Sequence, residues 1–312
     1  MTYIKHFSQI SKKDVAIAGG KGASLGEMAR AGFLVPPGFV VLAGAFEQFI
    51  METEIEADIA AILQKVNHKD INSVGKASAE IRRMILDEDM PQDLQTRILD
   101  EFKKFKVKFV AVRSSATAED SKAASWAGEL ETYLNVQQKN LINNVKKCWS
   151  SLFTPRAIFY RFEKKMHRQK VSVAVVIQNM VQSDVSGICF TVHPVTKDKN
   201  QMIIEAGFGL GEAIVSGLIT PDSYIVDKKN LVVVDANVSH QSFKITQSPK
   251  GNIRQKLSRA QGSRQKLTAK QILGLAKICK KIEQHYKQPQ DIEWALEKGK
   301  FYITQSRPIT TL

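Results

Sequence analysis

Residues 110–120 read VAVRSSATAED, and no other stretch constrains the fold as strongly. The apolar run 109–112 predicts a short buried strand. It ends at Arg113, and Ser114, Ser115 and a series of small or acidic residues follow before a second predicted strand around 130–136. The pattern is strand, polar loop, strand. A guanidinium at the mouth of a strand, followed by hydroxyls and flexible backbone, suits an anion such as a phosphate chain. The residues alone leave a second reading open, an ordinary surface loop with an exposed arginine.

At 312 residues the chain can bury a substantial core, as one large domain or as two or three subdomains. Hydrophobic and charged contents of 43% and 24% are globular values. No apolar run approaches the length of a membrane span, and the first residues hold no apolar signal core. Cys148, Cys189 and Cys279 lie far apart in sequence among apolar neighbours. That predicts reduced core cysteines of a cytoplasmic protein, not disulfides or a zinc site. The formal net charge of +14 raises nucleic acid as a partner. The basic residues are spread along the chain, however, and no nucleic-acid motif accompanies them. A docking surface for an acidic partner domain, or solubility alone, is the expectation.

Residues 19–22 read GGKG and lead into a predicted helix with Leu25, Met28 and Ala29 on one face. A glycine turn at a helix N-terminus can offer backbone N–H groups to an anion, and Lys21 adds a point charge. It is not a Walker A loop, because Gly22 follows the lysine. Taken alone, it is a plain helix-start turn. Residues 35–41 form a rigid turn entering a strand. Helices are predicted over 45–65, 70–86 and 91–104, all scaffold, and over 140–151 and 154–166. The last opens on Thr154 as N-cap and Pro155 as first residue. Trp149, Phe153, Phe159 and Tyr160 read as core. The strand 171–181 breaks at Gln178 and Asn179, whose amides can satisfy turn backbone or read the polar edge of a purine. Short strands follow over 187–192, 201–205, 223–227 and 231–235. Between them, the glycine-rich 207–214 is either a mobile loop or tight turn near phosphates, or a packing turn. Residues 247–266 are polar and basic, a surface excursion. Thr268 and Gln271 make a capping box for a helix whose stripe is Ile272, Leu275, Cys279, Ile282 and Tyr286. A hairpin, 291–296 with 301–307, closes the sequence. Gln305 and Arg307 alternate, so they share a face. With Glu293 they form either a Glu–Arg pair at a sheet edge or a Mg²⁺ site. Magnesium takes few protein oxygens and completes its shell with phosphate and water.

Taken together, these motifs resemble the nucleotide-binding domain of phosphoenolpyruvate synthase and pyruvate phosphate dikinase, which rifampicin phosphotransferase shares. The resemblance rests on residues 112–120, 125–128 and 131–135, and on GGKGASLGE (19–27), VPPGFV (35–40), CWSSLFT (148–154) and VVIQNMV (175–181). It extends through SGICFTVHP (186–194), EAGFGLGE (205–212), DIEW (291–294) and QSRP (305–308), in the family's order over nearly the whole chain.

The resemblance implies an α+β, ATP-grasp-like nucleotide-binding domain of two subdomains, 1–180 and 181–312, with the ATP cleft between them. The first would carry the glycine turn and the Arg-Ser-Ser loop, the second the metal and phosphate residues. The implied cofactors are ATP and Mg²⁺. Carried over residue by residue, Lys21 and Arg113 grip the phosphates. Gly128 and Thr132 line the loop above the nucleotide, and Gln178 sits at the adenine end. Glu293 and Gln305 bind Mg²⁺, and Arg307 stabilises transferring charge, so Arg113 and Arg307 are the implied catalytic pair. Glu131 stands beside this set without a role. The implied activity is a dikinase phosphotransfer. Mg-ATP phosphorylates a histidine on a swivelling domain, AMP and phosphate are left, and the phosphoryl group passes to pyruvate. His6, His68, His167, His193, His240 and His285 all lie outside the family's Thr-His-Ala segment, and His193 reads as structural. The expected partners are ATP and a phosphohistidine-bearing swivelling domain, in cis or in trans, with no membrane and no nucleic acid. Three alternatives stand beside this reading: the same domain from a rifampicin-type dikinase, a module that binds ATP without transferring anything, and a basic nucleic-acid binder.

Overall fold

The computed structural model describes residues 2–117, 131–166, 171–248 and 251–310. The chain is α+β and divides into two compact units, Met1–Arg30 with Pro37–Met180, and Ala31–Pro36 with Val181–Leu312. All pairings between its named strands are antiparallel. Among the described residues, no helix is long and apolar enough to cross a membrane.

The first unit runs β1 (Ile4–His6), α1 (Val15–Arg30), β2 (Gly38–Val41), α2 (Ala43–Glu52), α3 (Glu56–Gln64), α4 (Ile71–Asp87), α5 (Gln92–Lys104) and β3 (Val110–Ala116). It continues with β4 (Thr132–Val136), α6 (Leu141–Ser150), α7 (Pro155–Glu163) and β5 (Val173–Asn179). Its five strands lie in the order β1-β2-β5-β3-β4. Because side chains alternate along a strand, register sorts them into two faces. Phe39, Val112, Val175 and Ile177 belong to the face that packs on the helices, against Ile81, Ile85, Leu94 and Trp149. The predicted helix 45–65 is two helices, broken where Glu54 takes a φ of 59°. Thr154 caps α7 by accepting from the Ala157 N–H, with Pro155 in the first turn. Lys146 is 9% exposed because its ammonium donates to the carbonyls of Leu86 and Glu88, both at 2.7 Å, where α4 ends. Of the four aromatics assigned to the core, Phe159 is 47% exposed, so it belongs to the solvent face of α7.

The second unit runs β6 (Val185–Phe190), β7 (Gln201–Phe208), α8 (Glu212–Val215), β8 (Asp222–Asp227), β9 (Val232–Asn237), β10 (Phe243–Ser248) and β11 (Gly251–Lys256). Then come α9 (Arg259–Gly262), α10 (Ala269–Tyr286), β12 (Gln290–Glu297) and β13 (Lys300–Pro308). Six strands form a sheet ordered β13-β12-β6-β7-β8-β9, and β10-β11 is a separate hairpin. The capping box of Thr268 and Gln271 starts α10, which buries Ile272, Leu275, Cys279 and Ile282. Cys279 meets Cys189 of β6, so α10 covers the face to which Cys189 and its cross-strand partner Ile292 belong. The β12-β13 connection is a two-residue turn with φ of 49° at Lys298 and 77° at Gly299, the left-handed pair a tight hairpin demands.

Two further segments of this unit take a definite form. The glycine-rich segment turns tightly at Gly209, where it is closely packed. Gly209 has φ 86°, and a Cβ there would lie 2.3 Å from the Ile245 carbonyl oxygen. Its own carbonyl accepts from Ser183 Oγ at 2.9 Å and Ser186 Oγ at 2.6 Å. Within 247–266, β11 and the short helix α9 are largely exposed, in keeping with a surface excursion, and the segment ends on Lys266, which is 5% exposed. Its ammonium lies 2.7 Å from Asp222 Oδ1, and both side chains are fully buried.

Candidate functional site

The candidate residues fall into two sets, one in each unit. In the first, β3 runs on through Ala116, so Arg113 and the two serines belong to the strand and not to a loop after it. Arg113, Ser114 and Ser115 are 8%, 1% and 0% exposed. The reading of an exposed surface arginine is therefore wrong. The strand can bury these polar groups because the hydroxyls find backbone partners. Ser114 donates through both N–H and Oγ to the Glu131 carbonyl, at 3.1 and 2.8 Å.

Register then gathers the set. Arg113 stands opposite Thr132 on β4 and opposite Val176 on β5. Gln178 is two residues beyond Val176, so Arg113, Thr132 and Gln178 share one face of the sheet. Gln178 is 2% exposed, and among the described residues its side-chain NH₂ has no hydrogen-bond partner. A buried donor left unmade is costly unless something supplies an acceptor.

Helix α1 lies over this same face. Gly22 packs on Val40, the cross-strand partner of Val176. The helix is broken at Gly19, with φ 70° and ψ 171°, and restarts just before Lys21. Ser115 Oγ sits in the break. It accepts from the Gly22 N–H at 3.1 Å and donates to the Ala18 carbonyl at 2.9 Å. Only glycine fits at position 19, since a Cβ would lie 2.2 Å from Ser115 Oγ. Gly128 lies outside the described residues.

Glu131 now has partners. Arg82 of α4 pairs with its carboxylate at 2.9 Å, and the Tyr133 hydroxyl donates to the other oxygen. That bond, added to burial, raises the Tyr133 pKa. Below it, burial pushes the Cys148 thiol up to about 12, with the Glu131 charge adding to the rise and Lys21 opposing it.

The second set lies on β12 and β13. Glu293 stands directly opposite Gln305, and Asp291 opposite Arg307. Beyond Glu293 the register shifts, and Trp294 pairs with Ile303, leaving Thr304 as an extra residue. All four side chains belong to the face away from α10. Arg307 donates from Nε and Nη2 to Asp291 Oδ2 at 2.9 and 2.7 Å. Arg307 is thus held by Asp291, beside the Glu293–Gln305 cross-strand pair. Arg307 remains 38% exposed. Burial raises the Asp291 pKa, Arg307 pulls it down, and Glu293 adds to the rise. Glu205, on the same face two strands away, is also raised, first by burial and then by Asp291. Asp291 was missed in sequence although its spacing of two from Glu293 was visible.

An oxygen of Glu293 and one of Gln305 suit a cation that takes its remaining ligands from phosphate and water. Among the described residues, no group of three or more His, Cys, Asp and Glu side chains is placed to hold a metal. His193 organises a turn, its Nδ1 accepting from the backbone N–H groups of Val195 and Thr196.

The family described as "Pyruvate phosphate dikinase, AMP/ATP-binding domain" matches residues 15–312. A "Probable phosphoenolpyruvate synthase" of Methanocaldococcus jannaschii is 45% identical over 320 residues, covering 100% of this chain and 27% of that protein. One of Archaeoglobus fulgidus is 45% identical over 311 residues, covering 98% and 41%. The "Rifampicin phosphotransferase" of Bacillus subtilis is 39% identical over 308 residues, covering 97% and 35%. The chain thus spans less than half the length of these curated relatives.

Proposed function

The chain belongs to the pyruvate phosphate dikinase, AMP/ATP-binding domain family, and on that premise we propose that it is the Mg-ATP-binding, phosphoryl-donating part of a phosphoenolpyruvate synthase-like dikinase. Its fold is read as ATP-grasp-like, and the histidine it phosphorylates is carried by a separate swivelling domain. ATP, the histidine and water go to phosphohistidine, AMP and phosphate. Two phosphoanhydride bonds break, one P–N bond forms to the histidine and one P–O bond to the water oxygen, and the displaced protons pass to solvent. Conversion of pyruvate to phosphoenolpyruvate would follow on other domains.

The observation that carries the reading is the shared face of Arg113, Thr132 and Gln178 under α1. A buried guanidinium and a buried, unpartnered amide about two residues apart on neighbouring strands suit the charged and the aromatic ends of one nucleotide. Lys21 and Arg113 would bind the phosphates, and Gln178 would donate to a ring nitrogen of adenine. Glu293 and Gln305 would hold Mg²⁺, which when bound neutralises phosphate charge. Asp291 orients Arg307, whose exposed edge would meet charge developing on the transferring group.

Calorimetric titration with Mg-ATP tests the binding. We expect binding by the wild type, weakened about tenfold or more by Gln178→Ala and by Glu293→Ala, as for loss of a buried or charge-assisted contact. Absence of wild-type binding would sink the reading. The transfer is tested by supplying a family histidine domain in trans and following AMP. Binding without AMP formation would reduce the chain to a module that only holds ATP.

The 39% identity to the rifampicin phosphotransferase keeps a second acceptor in view. It differs in what the phosphohistidine donates to, and following phosphorylation of pyruvate against that of rifampicin, with the histidine and acceptor domains supplied, separates the two.

A further inference from the structure

We propose that Ser115 is a positioning residue for Lys21, so that the lysine's hold on phosphate depends on a hydroxyl carried by the Arg113 strand. This rests on the reading of Lys21 as a phosphate ligand. The second half of α1 begins at the break in Gly19 and lacks any capping side chain of its own, since positions 19, 20 and 22 are glycines. Its first turn needs an acceptor for the N–H groups that no helical carbonyl can reach. Ser115 Oγ supplies one to Gly22 at 3.1 Å and closes the other side of the break by donating to Ala18 at 2.9 Å. It thus acts as an N-cap brought in from 93 residues away.

The consequence concerns Lys21, which is flanked by the capped residue and the break. Three glycines around it leave the backbone with wide freedom, and the hydroxyl is what fixes its direction. Ser115 is 0% exposed and lies two residues from Arg113, so both side chains belong to one face. A single strand then sets both cations. Arg113 is set by being part of that strand, and Lys21 by the cap.

The test is a double-mutant cycle on Mg-ATP affinity with melting temperatures recorded for each variant: wild type, Lys21→Ala, Ser115→Ala and both together. Lys21→Ala is expected to weaken binding about tenfold, as for one lost charge-assisted contact. Ser115→Ala should weaken it about threefold to tenfold, and the double variant should bind no more weakly than Lys21→Ala within about twofold, the signature of two residues acting through one contact. A general loosening of the fold would instead multiply the two effects. Full affinity in Ser115→Ala, or effects that multiply, overturns the inference while leaving Lys21 as a ligand. Full affinity in Lys21→Ala overturns the phosphate role of Lys21, and the inference falls with it. Should Ser115→Ala not fold, Ser115→Cys takes its place in the same cycle.

Discussion

At the scale of single residues, the buried ion pair of Asp222 and Lys266 stands apart from the site and carries a large stability effect. Asp222 accepts from Tyr224 at 2.6 Å, Ser239 N–H at 2.9 Å, and Lys266 through N–H and Nζ at 2.9 and 2.7 Å. Such a carboxylate is well solvated by protein, and it keeps that balance only while the ammonium is present. Lys266→Met should therefore cost about 3–5 kcal/mol in urea unfolding, the range for stripping one partner from a buried pair. Glu205 makes a prediction in pH. Its folded pKa is raised, so the fold favours the protonated form. That contribution is complete below the unfolded carboxyl pKa, near about 4.3, and is lost as pH rises through the folded value. Glu205→Gln should remove this fall. The difference in unfolding free energy between variant and wild type should shift toward the variant across that window, and a constant difference would show that Glu205 titrates as it does unfolded.

At the scale of elements, glycines in similar helical or strand settings separate by what surrounds them. Gly75 in α4 and Gly274 in α10 would place a Cβ in open space. Changing either to alanine should stabilise the protein by about 0.5–1 kcal/mol, the difference in helix propensity. Gly187 in β6 is the opposite case. A Cβ there would lie 1.8 Å from the Glu205 carbonyl oxygen and 2.7 Å from the Trp294 ring. Gly187→Ala should cost more than about 3 kcal/mol by forcing β6 and β7 apart. Thermal melts of the three variants decide both predictions. The elements also show what a sequence reveals. The boundaries of α10 and α7 were legible because their signals are local: a capping residue, a proline, a stripe at helical spacing. The buried length of β3 was not, because what lets Ser114 and Ser115 enter a sheet is backbone from residues 18, 22 and 131. Arg113, Gln178, Glu293 and Gln305 were singled out by motif. Asp291 was not singled out, because its importance comes from standing across from Arg307.

At the scale of the whole molecule, charge is the dominant property. A chain with a net charge of +14 attracts a polyphosphate ligand. The β10-β11 hairpin adds to that field with Lys244, Arg254 and Lys256. The Debye length shrinks from about 10 Å at 0.1 M salt to about 3 Å at 1 M, so distant lysines stop contributing while contacts persist. Mg-ATP affinity should fall several-fold, on the order of threefold to tenfold, across that range. The residual binding at high salt should remain sensitive to Gln178→Ala, whose contact carries no charge. An affinity indifferent to salt would mean that the basic surface serves something other than nucleotide capture.

The extra residue in β13 has a further meaning for the length of the chain. Counted back from the Lys298–Gly299 turn, a regular ladder would set Thr304 against Glu293 and Gln305 against Ile292. Gln305 and Arg307 would then belong to the face covered by α10, away from Asp291 and Glu293. Deleting residue 304 restores even spacing and leaves Gln305 opposite Glu293 all the same. Position 304 thus sets the register of this hairpin, and shortening there should leave Glu293 opposite Gln305.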